Sequence, residues 1–115
     1  MNKIKLIVNN EAKKNEREKF FIKQELQSIL NLYAKMVSNG SWKDYSFTSG
    51  IKEVSFDVYQ RASEKPVLRI LKNLKPRYFN EKYLIKDRNG AILKKSENLN
   101  QLISKTSWNK LKLVK

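Results

Sequence analysis

The chain has 115 residues and a mass of 13.6 kDa, a length that holds one domain with short tails. With 40% apolar residues it can build an ordinary core, and with neither Cys nor His it excludes disulfides, thiolate metal sites, cysteine nucleophiles and imidazole acid–base chemistry. Its 25 Lys and Arg against 11 Asp and Glu leave a formal charge of +14, which points to a polyanionic partner. That charge is discounted because 20 of the basic residues are Lys, accompanied by 12 Asn and 9 Ile. All three are residues of A/T-rich codons, so compositional drift can supply basicity that no partner requires.

Residues 1–19 read as a flexible basic lead, with a weak strand pattern over 4–8 and no apolar periodicity after Val8. Leu6-Ile7-Val8 is far too short for a signal-peptide core or a membrane span, so the expected compartment is the cytoplasm. A single α+β domain is expected over 20–115. Its first element is a long helix whose buried stripe is Ile22, Leu26, Ile29, Leu30, Tyr33, Met36 and Val37, at the spacing of one helical face. Asn39-Gly40 supplies the left-handed stop. Asn39-Gly40-Ser41 also fits a glycosylation pattern but reads as this turn.

Beyond Gly40 the period changes to two. A short strand over 45–47 turns at Ser49-Gly50 into Val54, Phe56 and Val58, which alternate with Ser55 and Asp57. Pro66 opens a third strand over 67–71 and Pro76 closes it. Strands over 83–86 and 91–93 flank Asp87-Arg88-Asn89-Gly90, the pattern of a type I turn with a bulged glycine. Ser96 is placed as the cap of a short helix whose apolar stripe is Leu99, Leu102 and Ile103. A last edge strand is placed over 111–114. The expected architecture is α+β: a long N-terminal helix on an antiparallel sheet of four or five strands, with a short C-terminal helix.

Enzyme signatures are scarce. Ser49/Lys52 and Ser107/Lys110 have the Ser-x-x-Lys spacing, but 10 Ser and 20 Lys produce such pairs by chance. Three glycines cannot form a phosphate-cradling loop. Asp44, Glu53 and Asp57 have the residue types for a magnesium site or a carboxylate pair. The favoured reading places Asp57 on the solvent face of its strand and Asp44 in a local turn contact. Trp42 and Tyr45 are assigned to closing the core over Tyr33 and Met36 rather than to stacking on a ligand. The chain is therefore expected to be non-enzymatic, with no cofactor and no metal.

Charge is concentrated in one third of the chain. Residues 61–95 carry +8 and four of the five arginines, Arg61, Arg69, Arg77 and Arg88. In a Lys-rich alphabet, Arg is kept where its planar fork makes bidentate contacts. Lys72, Lys75, Lys82, Lys86, Lys94 and Lys95 surround these arginines, with Tyr78, Phe79 and Tyr83 interleaved. Basic residues with aromatics on a sheet and its loops suit single-stranded or structured RNA. The plain alternative is an exposed sheet whose cations guard its edges.

Glu25-Leu26, then Leu32-Tyr33-x-x-Met36-Val37-x-x-Gly40-x-Trp42-x-Asp44-Tyr45, then Phe56, Arg61, Glu64, Pro66, Arg69-Ile70, Lys72 and the Gly90 hairpin with Ile92-Leu93-Lys94 form an ordered set. In these residues, over about 20–103, the chain resembles an uncharacterised alphaproteobacterial family of small basic proteins, domain of unknown function 2794. The resemblance implies one domain in a bacterial cytoplasm and carries over no site residues. Family members are richer in Arg where this chain has Lys, which agrees with codon drift.

The expected function is a nucleic-acid-binding module, RNA favoured over DNA, using Arg61, Arg69, Lys72, Lys75, Arg77, Tyr78, Arg88, Lys94 and Lys95. The alternative is an adaptor for an acidic protein, with Arg61, Glu64 and Arg69 in specific ion pairs. No membrane partner is expected.

Overall fold

A computed structural model describes residues 19–61 and 65–108. The strand patterns over 4–8 and 111–114, and nearly all of the proposed lead, lie outside the described residues. Helix α1 is Lys23–Ser38, followed by strands β1 (Asp44–Ser49), β2 (Glu53–Tyr59), β3 (Leu68–Asn73), β4 (Tyr83–Asp87) and β5 (Ile92–Ser96), and by helix α2 (Leu99–Lys105). The five strands form one antiparallel meander in the order β1-β2-β3-β4-β5. The architecture is α+β, as expected. Helix α1 has 16 residues, an ordinary length of about four turns rather than a long helix. Among the described residues no helix is long and apolar enough to cross a membrane.

The punctuation residues act where the sequence places them. Gly40, at φ +83°, takes the left-handed position after α1, and the Ser41 N–H reaches back to the Met36 carbonyl at 2.9 Å. At the β4–β5 turn Gly90 has φ +87°. There the Asp87 carboxylate accepts the backbone N–H groups of Asn89 and Ala91, both at 2.9 Å. Ser96, by contrast, does not cap α2. It is the last residue of β5, and the Asn98 side chain accepts the Gln101 N–H at 2.9 Å instead.

The helix phase differs from expectation. Buried positions on α1 are Glu25, Ile29, Leu32 and Met36, with Leu26 and Tyr33 half-buried beside them. Ile22, Leu30 and Val37 are exposed, Leu30 by 40%. At about 100° per residue the buried face is rotated by roughly 50° from the purely apolar stripe. An acidic residue occupies the inward line, and the reason lies in what the sheet offers it.

Ile29, Leu32 and Met36 join Val54, Phe56, Val58, Ile70 and Ile85 in the core. Leu99 and Leu102 close it from α2. Trp42 is buried and meets the Trp108 ring edge-on at 5.8 Å, and Tyr33 packs on both Trp42 and Tyr45. Core closure by the residues after Gly40 holds for Trp42, whereas Tyr45 remains 40% exposed on the edge strand.

Candidate functional site

Strand alternation assigns each basic residue a face. Phe56, Ile70 and Ile85 lie in one cross-strand row on the core side. The neighbouring rows, Ser55–Leu71–Leu84–Lys95 and Asp57–Arg69–Lys86–Ile92, belong to the opposite side. The parity of β3 therefore divides its two cations: Arg69 lies on the outer face and Lys72 points inward.

Lys72 is completely buried, and this corrects its expected role in ligand binding. Its Nζ donates to the Glu25 carboxylate at 2.8 Å and to the Phe20 carbonyl at 3.1 Å. Glu25 also accepts the Ile22 N–H at 2.8 Å and the Tyr83 hydroxyl. The carboxylate thus serves the N-terminal turn of α1 and the end of the sheet together. A buried cation needs such a partner, and supplying it turns Glu25 inward. Lys72 cannot reach a phosphate without unpacking α1.

Arg69 is committed as well, though still 32% exposed. Its Nε donates to Asp57 at 2.9 Å and its Nη2 to the Ser55 hydroxyl at 3.0 Å. Asp57 also accepts from Thr48 at 2.7 Å and from Ser55 at 2.8 Å. Asp57 is consequently buried within a polar network, not on a solvent face as its alternation suggested. Asp44 makes the expected local contact, accepting the Tyr45 N–H at 2.8 Å. Among the described residues, no three acidic, His or Cys side chains converge in a way that would hold a metal. Tyr33 has its phenol pushed above the usual tyrosine range by burial, then by Asp44 and by Tyr45, so it stays neutral at neutral pH.

The meander sends the remaining residues to two ends. Arg61 follows β2 and Arg88 sits in the β4–β5 turn, at one end of the sheet. Lys75, Arg77 and Tyr78 lie in the β3–β4 connection at the other end. A five-residue strand separates the two ends by about 17 Å. Glu64 of the triad proposed for an adaptor falls outside the described residues, and Arg69 holds the Asp57 carboxylate.

The β3–β4 connection is the better-formed group. Pro76 interrupts the ladder, and Phe79–Glu81 forms one 3-10 turn, with Lys82 N–H donating to the Phe79 carbonyl at 3.2 Å. Asn73 anchors the far side by donating its side-chain amide to the Glu81 carbonyl. The Leu74 N–H donates to the Lys52 carbonyl at 2.8 Å, tying the connection to the β1–β2 turn. On this held loop Phe79 is 82% and Tyr78 59% exposed. Lys75 and Arg77 are exposed beside them, and β5 adds exposed Lys95, whereas Lys94, also exposed, pairs with Ile85 in the core-side row and so belongs to the other face of the sheet. Lys95 reaches Glu81 at 3.7 Å, a surface pair worth little. Of these, Lys75, Arg77, Tyr78, Lys94 and Lys95 are among the expected binding residues, whereas Phe79 enters the sequence reading only as one of the aromatics interleaved with the cations.

No curated protein and no solved structure matches the chain. A family model described as a protein of unknown function, DUF2794, matches residues 19–103, from the approach to α1 into α2. The matched span includes both Glu25 and Lys72 as well as the whole sheet, and the chain belongs to the DUF2794 family.

Proposed function

We propose that the domain is a non-enzymatic module that binds nucleic acid, RNA in preference to DNA, through the β3–β4 connection and β5. The observation that carries this reading is the pair of exposed consecutive aromatics, Tyr78 and Phe79, on a hydrogen-bonded turn beside Lys75 and Arg77, with Lys95 of β5 reaching Glu81 of the same turn. An aromatic as large as Phe79 is costly to leave in water, and a stacking base would cover it. Cations on both sides would hold the phosphates. The absence of His and Cys from the sequence supports the non-enzymatic part.

The test is fluorescence anisotropy with RNA and DNA oligonucleotides as salt is raised from about 50 to 200 mM, paired with pull-down from cells with and without nuclease. Binding that persists near 150 mM, with log K falling linearly in log salt, is the expected result. No binding at that salt, together with a protein partner that survives nuclease, replaces the reading with the acidic-protein adaptor.

A further inference from the structure

We infer that the nucleic acid is a single strand crossing the end of the sheet, from the β3–β4 connection to the β1–β2 turn, with Ile51 and Lys52 as further contact residues. This inference rests on the reading above. The three most exposed large apolar side chains among the described residues are Ile51 at 86%, Phe79 at 82% and Tyr78 at 59%. All three lie at one end of the meander, because the β1–β2 and β3–β4 connections return to the same side. Single apolar residues scattered on a surface are ordinary, whereas a group on neighbouring turns marks a contact surface. Ile51 takes no part in closing its own turn, which the Gly50 N–H does by donating to the Glu53 carbonyl at 2.9 Å. Glycine and polar residues usually occupy such a tip, so neither packing nor turn chemistry accounts for an isoleucine there. The two turns are also held together. The Lys52 carbonyl accepts the Leu74 N–H at 2.8 Å, and the Asn73 N–H donates to the Lys82 carbonyl at 2.7 Å. These bonds set the three strands side by side at this end, a span of about 10 Å. Lys75 follows Leu74, so exposed Lys52 and Lys75 both stand at the junction of the two turns. Phosphates held there would link a base stacked on Phe79 to a sugar or base edge resting on Ile51.

Two other polyanions suit this end of the sheet less well. Bases within a duplex are stacked on one another and present no face to Phe79 or Tyr78. A flat anionic lipid surface would take up Ile51, Phe79 and the cations together, but it would also meet Glu53, Glu81 and Glu97 at the same end. A flexible strand passes its phosphates along individual cations and leaves those carboxylates aside.

The experiment measures anisotropy from about 50 to 200 mM salt with labelled mixed-sequence single-stranded RNA and with a duplex of the same length. Sedimentation with vesicles of phosphatidylserine and phosphatidylcholine runs beside it. The single strand is expected to bind at least about tenfold tighter than the duplex, with a footprint of about four nucleotides, the short end of the range for such sites. Phe79→Ala should weaken single-strand binding by about five- to a hundredfold, the range for a lost stack. Ile51→Ser should weaken it by about three- to tenfold, for one apolar side chain partly covered. Lys52→Gln should flatten the salt slope by roughly 0.7 for one phosphate. Ile92→Ser, which removes an exposed apolar side chain at the opposite end of the sheet, should bind as the parent does. Parent-like binding by both Ile51→Ser and Lys52→Gln, while Phe79→Ala still weakens it, overturns the inference, and so does equal affinity for duplex and single strand. In those two cases nucleic-acid binding stands and only the path is wrong. Failure of every oligonucleotide to bind overturns the functional reading itself, and vesicle binding lost in Ile51→Ser and Phe79→Ala would then assign this end of the sheet to an anionic lipid surface.

Discussion

At the scale of single residues, Lys72 shows how a side chain's face can outweigh its type. It reads as one more cation in a basic run, yet Leu68, Ile70 and Lys72 share the inward parity of β3. Glu25 likewise keeps helical spacing with Ile29, Leu32 and Met36. These two parities were the available signal, and a reading that admits only apolar residues to a core passes over both. Lys72→Met should lower stability by about 3–5 kcal/mol, because the Glu25 carboxylate is left buried without its counter-charge. Adding Glu25→Leu should recover part of that loss but not all, since the Tyr83 hydroxyl and the Ile22 N–H also lose their acceptor. Urea melts of the two variants measure both steps. The same rotation of α1 separates two adjacent residues: Ile29→Ala should cost about 2–5 kcal/mol, whereas Leu30→Ala, at a 40% exposed site, should cost well under half as much. Equal midpoints in urea would contradict the observed phase.

At the scale of elements, boundaries marked by backbone constraints were legible. Gly40 ends α1, Asp87 and Gly90 build the β4–β5 turn, and Pro66 and Pro76 bracket β3, each through a restriction the residue itself imposes. Gly40→Val should destabilise by more than about 1 kcal/mol, although no atom stands in the way of a Cβ, because the penalty comes from the positive φ. Thermal unfolding of Gly90→Val, at φ +87° and likewise with no atom within 4 Å of a Cβ, checks that attribution by showing a comparable loss. The α2 cap was less legible because Ser96 and Asn98 both have capping side chains. Only the tertiary pairing of Ser96 with Tyr83 keeps Ser96 in β5.

For the whole molecule, the meander governs what the charge can do. Residues 61–95 looked like one basic surface because they are contiguous, but antiparallel strands return successive connections to opposite ends. Arg61 and Arg88 are carried to one end, and Lys75, Arg77 and Tyr78 to the other. Arg69 and Lys72 are spent on internal carboxylates. Linear charge density carries no information about that division, whereas turn and strand patterns do once the connections are counted. What remains is a local cationic and aromatic group on the β3–β4 connection, whose locality gives the proposed site an expectation different from diffuse attraction by +14 of net charge.

The most direct measurement compares two double variants of equal charge change in a salt titration with RNA. Lys75→Glu with Arg77→Glu alters the loop, and Lys23→Glu with Lys35→Glu alters exposed positions on α1. The loop variant should lose affinity strongly and flatten the log K against log salt slope by about 1.4 for two lost phosphate contacts on a single strand, with the helix variant close to the parent. Equal losses from the two pairs would mean that net charge alone attracts the nucleic acid, contradicting a site on the β3–β4 connection.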